Sequence, residues 1–174
     1  MSDGKIANSL FFENSEMDRS AVERQVSNAL QGADDVELFL EYRQSEAFSF
    51  DDGRLKSASF DTTQGFGLRT VCGEATGFAH ASELSERAVE NAATTVRAVT
   101  GGRSGSIALA PPAVNKSLYS DENPLSDIPF DTKVKLLGEM DAYARSKDSR
   151  VVQVSASLAG SWQVVEIIRT GGER

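Results

Sequence analysis

The fold of this protein is decided by residues 35–81, which read DVELFLEYRQSEAFSFDDGRLKSASFDTTQGFGLRTVCGEATGFAHA. Apolar and polar side chains alternate from Val36 to Tyr42, and this period of two predicts a half-buried strand. Asp52-Gly53 is a dipeptide typical of two-residue hairpin turns, and Gly73-Glu74 turns the chain again. The stretch therefore predicts an antiparallel meander of five short strands. These strands cover about 36–42, 48–50, 54–62, 66–72 and 75–79.

Three helices are predicted from apolar residues spaced three and four positions apart. Asp18 is the expected N-cap of the first helix, which ends at Gly32, and Ser82 is the expected cap of the second. The third spans roughly 131–147. The apolar positions of the three helices are Val22, Val26, Ala29 and Leu30; then Leu84, Ala88, Ala92, Val96 and Val99; then Leu136, Met140, Tyr143 and Ala144, with Leu137 beside them.

The C-terminal part of the sequence returns to strands. Residues 101–129 are rich in Gly and Pro and predict a long irregular connection, with an extended stretch at 107–109. Two final strands cover 152–158 and 162–169 and are joined by a turn at Ala159-Gly160.

These elements predict an α+β fold: an antiparallel sheet of about six or seven strands with two long helices packed on one face. Residues 1–17 lack periodicity and are interpreted as an N-terminal arm, and 18–174 as a single domain. A strand as apolar as 164–168 is normally paired with a following strand, yet only a turn at 170–172 follows. The chain is therefore expected to be a fragment of a longer protein.

Composition excludes several classes of function. The 174 residues include 18 Lys and Arg against 26 Asp and Glu, a net charge of −8 that disfavours binding to nucleic acid. No apolar run is long enough for a transmembrane helix, and the N-terminus does not resemble a signal peptide. Because Cys72 is the single cysteine, no internal disulfide can form, and a reducing, cytoplasmic location is expected.

Catalytic chemistry is equally constrained. One histidine, His80, and one cysteine cannot build a metal site from these residue types alone, and no phosphate-loop or nucleophile-elbow motif occurs. His80 is interpreted as a boundary residue and Cys72 as a buried thiol. Asp51 and Asp52, with Asp61 after them, lack the ligand spacing of a calcium loop, and the hairpin turn accounts for the first two. No catalytic and no metal-binding residue is assigned.

Glycines of the fourth and fifth predicted strands are the more informative feature. Gly65, Gly67 and Gly77 are interpreted as positions where another backbone approaches closely, which includes a substrate strand added to a sheet edge. A phosphate cradle is disfavoured because no helix begins after Gly67. With Arg69 these glycines are the candidate substrate-strand or partner contacts. Other cations on the strands, Arg43, Arg54 and Lys56, are interpreted as solvent-facing, and Trp162 and Phe48 as core or interdomain anchors.

The segment GFGLRTVCGEATGFAHA (Gly65–Ala81) resembles the TldD subunit of the TldD/PmbA family, also called modulator of DNA gyrase. The similarity extends to 45–59, 117–125 and 150–170. The resemblance implies a two-domain zinc-dependent peptidase that acts on unfolded or flexible polypeptides, often as a heterodimer of TldD with TldE (PmbA). It also implies that zinc is held by a His-Glu-x-x-x-His helix and a cysteine in a C-terminal domain, and this sequence has no such segment.

The resemblance therefore predicts a non-catalytic N-terminal domain that binds no cofactor itself. Such a domain would pair with a TldE/PmbA-like sister subunit or with a second copy, and would admit extended polypeptide to the active-site chamber. Two alternatives remain open: a standalone protein-interaction module that uses the Gly-rich strands, and a modulator that contacts the gyrase protein.

Overall fold

The computed structural model describes residues 4–100 and 122–169. The predicted extended stretch at 107–109, the turn at 170–172 and the core position of the Val99 side chain lie outside what is described. The strands are β1 (Asp35–Asp51), β2 (Arg54–Cys72), β3 (Ala75–Ala81) and β4 (Ser155–Arg169). The α-helices are α1 (Lys5–Asn8), α2 (Arg19–Ala29), α3 (Glu86–Thr100), α4 (Pro124–Asp127) and α5 (Phe130–Lys147), and a π-helical turn spans Ser9–Glu13.

The strands form one antiparallel sheet in the order β3-β2-β1-β4, so the α+β class is confirmed. The prediction of six or seven strands is wrong, because the described residues form four. Predicted neighbours merge: β1, β2 and β4 each join two of the expected strands. Among the described glycines, Gly53 and Gly73 have the positive φ of a tight turn, whereas Gly65 and Gly160 do not, and the chain stays extended through both.

The described residues divide into two compact units. The first unit comprises Met1–Tyr42, Thr63–Asp121 and Val164–Arg174, and the second comprises Arg43–Thr62 and Glu122–Gln163. The predicted pair of long helices on one face is not matched, because α3 belongs to the first unit and α5 to the second. The domain boundaries expected from the sequence, an arm over 1–17 and one domain over 18–174, stay a prediction.

The first unit buries the even-numbered positions over 36–40 of β1 and 66–72 of β2, and Ile168 of β4, beneath α2 and α3. Asp18 caps α2 as predicted, since its carboxylate accepts a hydrogen bond from the Ala21 amide at 2.8 Å. The cap of α3 is Ser85 and not the predicted Ser82, because the Ser85 hydroxyl accepts from the Ala88 amide at 3.2 Å. None of the described helices is both long and apolar enough to cross a membrane. The fully buried core side chains of the first unit include Phe11, Val22, Val36, Leu38, Leu40, Leu68, Val89 and Val96.

Close packing of α3 on β3 depends on Gly77. A Cβ atom there would lie 2.9 Å from both the Thr70 hydroxyl oxygen and the Val96 carbonyl oxygen. We expect Gly77→Ala to lower the free energy of unfolding by about 1–3 kcal/mol, because the helix backbone must move outward. The measurement is urea denaturation followed by circular dichroism. Gly138→Ala is the matched control.

Gly138 lies inside α5, and the nearest atom to its added Cβ would be Phe50 Cζ at 3.7 Å. Alanine is the better helix former, so this control should leave stability unchanged or raise it by up to ~1 kcal/mol. If both substitutions have the same effect, the close approach at Gly77 does not limit packing.

The face of α5 that the second unit buries carries two charged residues. Lys133, Leu137 and Asp141 are buried at successive helical turns, and Leu137 packs with Phe48 and Phe50 of β1. The predicted apolar face is wrong: Leu136, Met140 and Tyr143 are 47%, 49% and 64% exposed. The cause is the polar partner that β1 supplies to Lys133, since the carboxylate of Glu46, itself buried, lies 2.6 Å from the ammonium.

Candidate functional site

The face of the first unit's sheet opposite α2 and α3 carries a shallow depression. Its volume is about 370 Å³, and it lies across β1, β2 and β3. Phe39 and Glu41 line it from β1, residues 63–67 from β2, and Phe78, His80 and Ala81 from β3, with Ser82 just after that strand. We refer to it below as the open-face depression. It is the strongest candidate site of the first unit because two predicted contact residues, Gly65 and Gly67, line it.

Both glycines make room for other parts of this chain. A Cβ at Gly67 would lie 3.2 Å from Cε2 and Cζ of the Phe78 ring. A Cβ at Gly65 would lie 2.7 Å from the Ala81 carbonyl oxygen, closer than such contacts normally are. The ring and the backbone therefore lie directly against β2. A role of these glycines in contacting a substrate or partner stays a prediction.

The other two predicted contacts lie apart from each other. Arg69 is exposed on the open face and is the register partner of Phe78 across the β2–β3 pair. Gly77 is buried on the opposite face, against α3, where the packing described above accounts for it. The structure thus brings Gly65, Gly67 and Arg69 to one face of the sheet and separates Gly77 from them.

Aromatic side chains form the walls of the open-face depression. Phe78 is 61% exposed, and its ring centroid lies 5.8 Å from that of His80, with 30° between the two planes. Phe39 is half-buried on β1, where its sequence neighbours on the same face, Glu37 and Glu41, are acidic. The sequence analysis did not identify these aromatic side chains as part of a site. The available signal was Phe39, an aromatic residue at a position where the period-two alternation places polar residues.

A second feature lies on β2 itself, within the second unit. Strand β3 pairs only with Phe66–Cys72, and no other described strand lies on that side of 54–62. Side chains from Lys56 to Thr62 are exposed on both faces. An unpaired strand edge offers backbone donors and acceptors to an added strand. Within the described residues, this edge of β2 therefore has no strand beside it.

The remaining candidates have structural roles. Asp51 accepts hydrogen bonds from the Ser155 hydroxyl at 2.7 Å and the Gln153 amide at 3.0 Å, and these bonds hold its pKa below the usual value. Asp52 occupies the hairpin turn with φ of 50° and pairs with Arg145 at 2.5 Å. The pKa of Arg145 is raised, first by its bond to Asp141 and then by Asp52.

The predictions for the other singled-out residues are mostly confirmed. Cys72 is buried and Phe48 is a core residue, as expected, while Trp162 is half-buried on β4. Arg54 and Lys56 are exposed, and Lys56 lies 3.8 Å from Asp51. Within the described ranges, no three His, Cys, Asp or Glu side chains are grouped so that they could hold a metal ion.

Comparison with known proteins matches two domain models of the same family to this chain. The model described as PmbA/TldA metallopeptidase domain 1 matches residues 36–99, and the PmbA/TldA metallopeptidase central domain matches 123–174. Among curated proteins, the metalloprotease TldD homolog of Haemophilus influenzae is 34% identical over 80% of this chain and 30% of its own length. The TldD homolog of Buchnera aphidicola subsp. Schizaphis graminum is 33% identical over 78% of this chain and 28% of its own length.

Solved structures with the same fold are more distant in sequence. TldE from Thermococcus kodakarensis superimposes with a TM-score of 0.65 at 16% identity, over 87% of this chain and 35% of that one. A Bacteroides thetaiotaomicron protein described as a modulator of DNA gyrase gives a TM-score of 0.67 at 14% identity, over 88% and 37% of the two chains. The chain therefore spans about 30% of the length of the curated relatives it matches.

Proposed function

Since this chain belongs to the PmbA/TldD family of metallopeptidases, we propose that it is the non-catalytic, substrate-side part of a TldD-like enzyme. In this proposal it admits unfolded or flexible polypeptides and pairs with a TldE/PmbA-like subunit or with a second copy. We place it in the cytoplasm, where the single thiol of Cys72 would remain reduced. The observation that carries the proposal is the edge of β2 over 54–62, beside which the described residues place no strand, and such an edge suits an extended chain whatever its sequence.

Zinc is the metal that the family implies, and the described residues do not fit it. Zinc is normally held by three or four nitrogen, sulfur or carboxylate ligands. His80 lies on the open face whereas Cys72 is buried on the helix-covered face, and no carboxylates join either of them as a ligand group within the described residues. We therefore assign no hydrolytic step to these residues. Peptide hydrolysis with stoichiometric zinc by this chain alone would overturn the proposal.

Polypeptide admission is tested by binding. We expect the purified chain to bind a fluorescently labelled, unstructured peptide of about 20 residues, measured by anisotropy. Gly67→Val should weaken binding by about tenfold or more, because the larger side chain displaces the Phe78 ring and alters the open face. Gly138→Ala, which adds a side chain elsewhere, should bind like the wild type. Unchanged affinity in a folded Gly67→Val variant would contradict the role of this face.

Subunit pairing is tested separately. Sedimentation of the chain with a purified TldE/PmbA-like relative should show a stoichiometric complex, or a dimer of the chain alone at the same concentration. Monomers in both experiments would contradict pairing. A complex with purified DNA gyrase in place of the relative would favour the alternative of a modulator that contacts gyrase.

A further inference from the structure

We propose that the exposed face of α5 binds the same face of a second copy of this chain, with the two helices antiparallel. This inference rests on the proposed function and deepens it, because it names the surface and the orientation through which the chain pairs with a second copy. It follows from the apolar stripe on that face, from the order of the charges beside the stripe and from the direction of the helix.

The apolar stripe runs along the side of α5 that the second unit leaves exposed. Leu136, Met140 and Tyr143 follow one another at spacings of four and three residues, so they share one face of the helix. Between 47% and 64% of each of these side chains is exposed. The same four-three spacing forms the contact line between helices in coiled coils. The stripe therefore suits another helix that carries a similar stripe.

The charges beside the stripe identify that helix as a second copy. Lys135 and Glu139 lie on one flank of the stripe, and their side chains are 76% and 63% exposed. A two-fold axis midway between these residues relates antiparallel copies so that Lys135 of each copy lies beside Glu139 of the other. The ion pair within each helix, at 3.7 Å, stays intact, because each charge then has one opposite charge on its own helix and one across the interface. The surface is complementary to itself.

The same axis aligns the apolar side chains and the helix ends. Leu136 and Met140 are also four positions apart, so Leu136 of one copy lies opposite Met140 of the other. The axis lies near the middle of α5, and the acidic first turn with Asp131 points toward the second copy's basic last turn with Lys147. Parallel helices would instead align like ends. Three apolar side chains from each copy make a small interface, so the association is expected to be weak and dependent on concentration.

The test mixes two charge reversals in sedimentation experiments on the whole chain. Lys135→Glu and Glu139→Lys each place like charges across the interface, so each variant alone should self-associate about tenfold more weakly than the wild type. An equimolar mixture of the two should associate like the wild type. Every pair across the interface is then opposite in charge, although the pair within each helix is still lost.

Two further variants complete the comparison. Met140→Lys places a charge in the stripe and should also weaken self-association by about tenfold or more. Arg87→Glu is the matched control, because Arg87 forms a similarly exposed pair with Glu83 at 3.6 Å in the first unit. This control should associate like the wild type.

The outcomes separate this inference from the proposed function. If the wild type associates and neither the reversals nor Met140→Lys weakens it, the inference is overturned while pairing through another surface stands. Reversals that weaken association without rescue on mixing also overturn it, because the charges then do not meet across the interface. A wild type that stays monomeric overturns both the inference and pairing with a second copy, and the peptide experiment then decides the rest of the proposed function. Should a reversal not fold, as judged by circular dichroism, Met140→Lys against Arg87→Glu decides alone.

Discussion

Replacing Lys133 by alanine is expected to lower the free energy of unfolding by about 3–5 kcal/mol, among the largest effects of any single change in this chain. The Lys133 ammonium lies 2.6 Å and 2.8 Å from the two carboxylate oxygens of Glu46. It also donates to the Leu125 carbonyl oxygen at 2.7 Å. The side chains of the pair are only 6% and 8% exposed. Removing the ammonium would leave a buried carboxylate without its counter-ion.

The comparison that isolates this effect uses a double variant. Lys133→Met combined with Glu46→Leu removes both charges and fills a similar volume, so most of the lost stability should return. Lys135→Ala is the matched control, because Lys135 is 76% exposed and pairs loosely with Glu139 at 3.7 Å. That control should change stability by no more than about 0.5 kcal/mol. A loss below about 1 kcal/mol in Lys133→Ala, measured by urea denaturation, would show that the pair is not buried in solution.

The second large effect is expected at Phe11. Its side chain is fully buried in the π-helical turn and packs into the core of the first unit, although the sequence around it has no helical periodicity. Phe11→Ala should cost about 3–5 kcal/mol, since it removes a buried ring and leaves a cavity. The loss of stability is measured as the shift in the thermal unfolding midpoint and, independently, by urea denaturation.

Phe12→Ala is the control for that variant. Phe12 is half-buried, and the Arg19 guanidinium lies 4.1 Å from its ring centroid. Arg19 keeps its 2.6 Å contact with Glu166 of β4 when the ring is removed. The control should therefore lose much less, with the cation–π contact contributing about 1 kcal/mol. Similar losses in the two variants would mean that residues 9–13 do not enter the core.

The peptide experiments and the stability experiments address different units of the chain. The peptide-binding test uses Gly67, which belongs to the first unit, whereas Lys133 and Glu46 belong to the second. A Lys133→Ala variant that still binds the unstructured peptide would show that the first unit retains its open face when the second is destabilised. Loss of both properties would show that the two units fold cooperatively.

Predictions from the sequence were correct for features that depend on interactions between residues close together in the chain. The hairpin turn at Asp52-Gly53, the N-cap at Asp18 and the buried even positions of β1 all follow from interactions within a few residues. Strand number was overestimated because residues 43–47, 62–65 and 159–160 were interpreted as breaks between strands, and the structure continues β1, β2 and β4 through them. Whether a strand stops there depends on its neighbours across the sheet, and those were not visible in the pattern.

The sequence alone determined the class of fold, the family and the exclusion of a site built only from His and Cys, since these depend on composition and on local motifs. Tertiary structure decided which face of α5 is buried. Lys133 enters the core because Glu46, 87 positions earlier, lies within 2.8 Å of it, and no periodicity along α5 contains that partner. The open-face depression was decided in the same way: two glycines, two aromatic rings and one carboxylate meet only when three strands lie side by side.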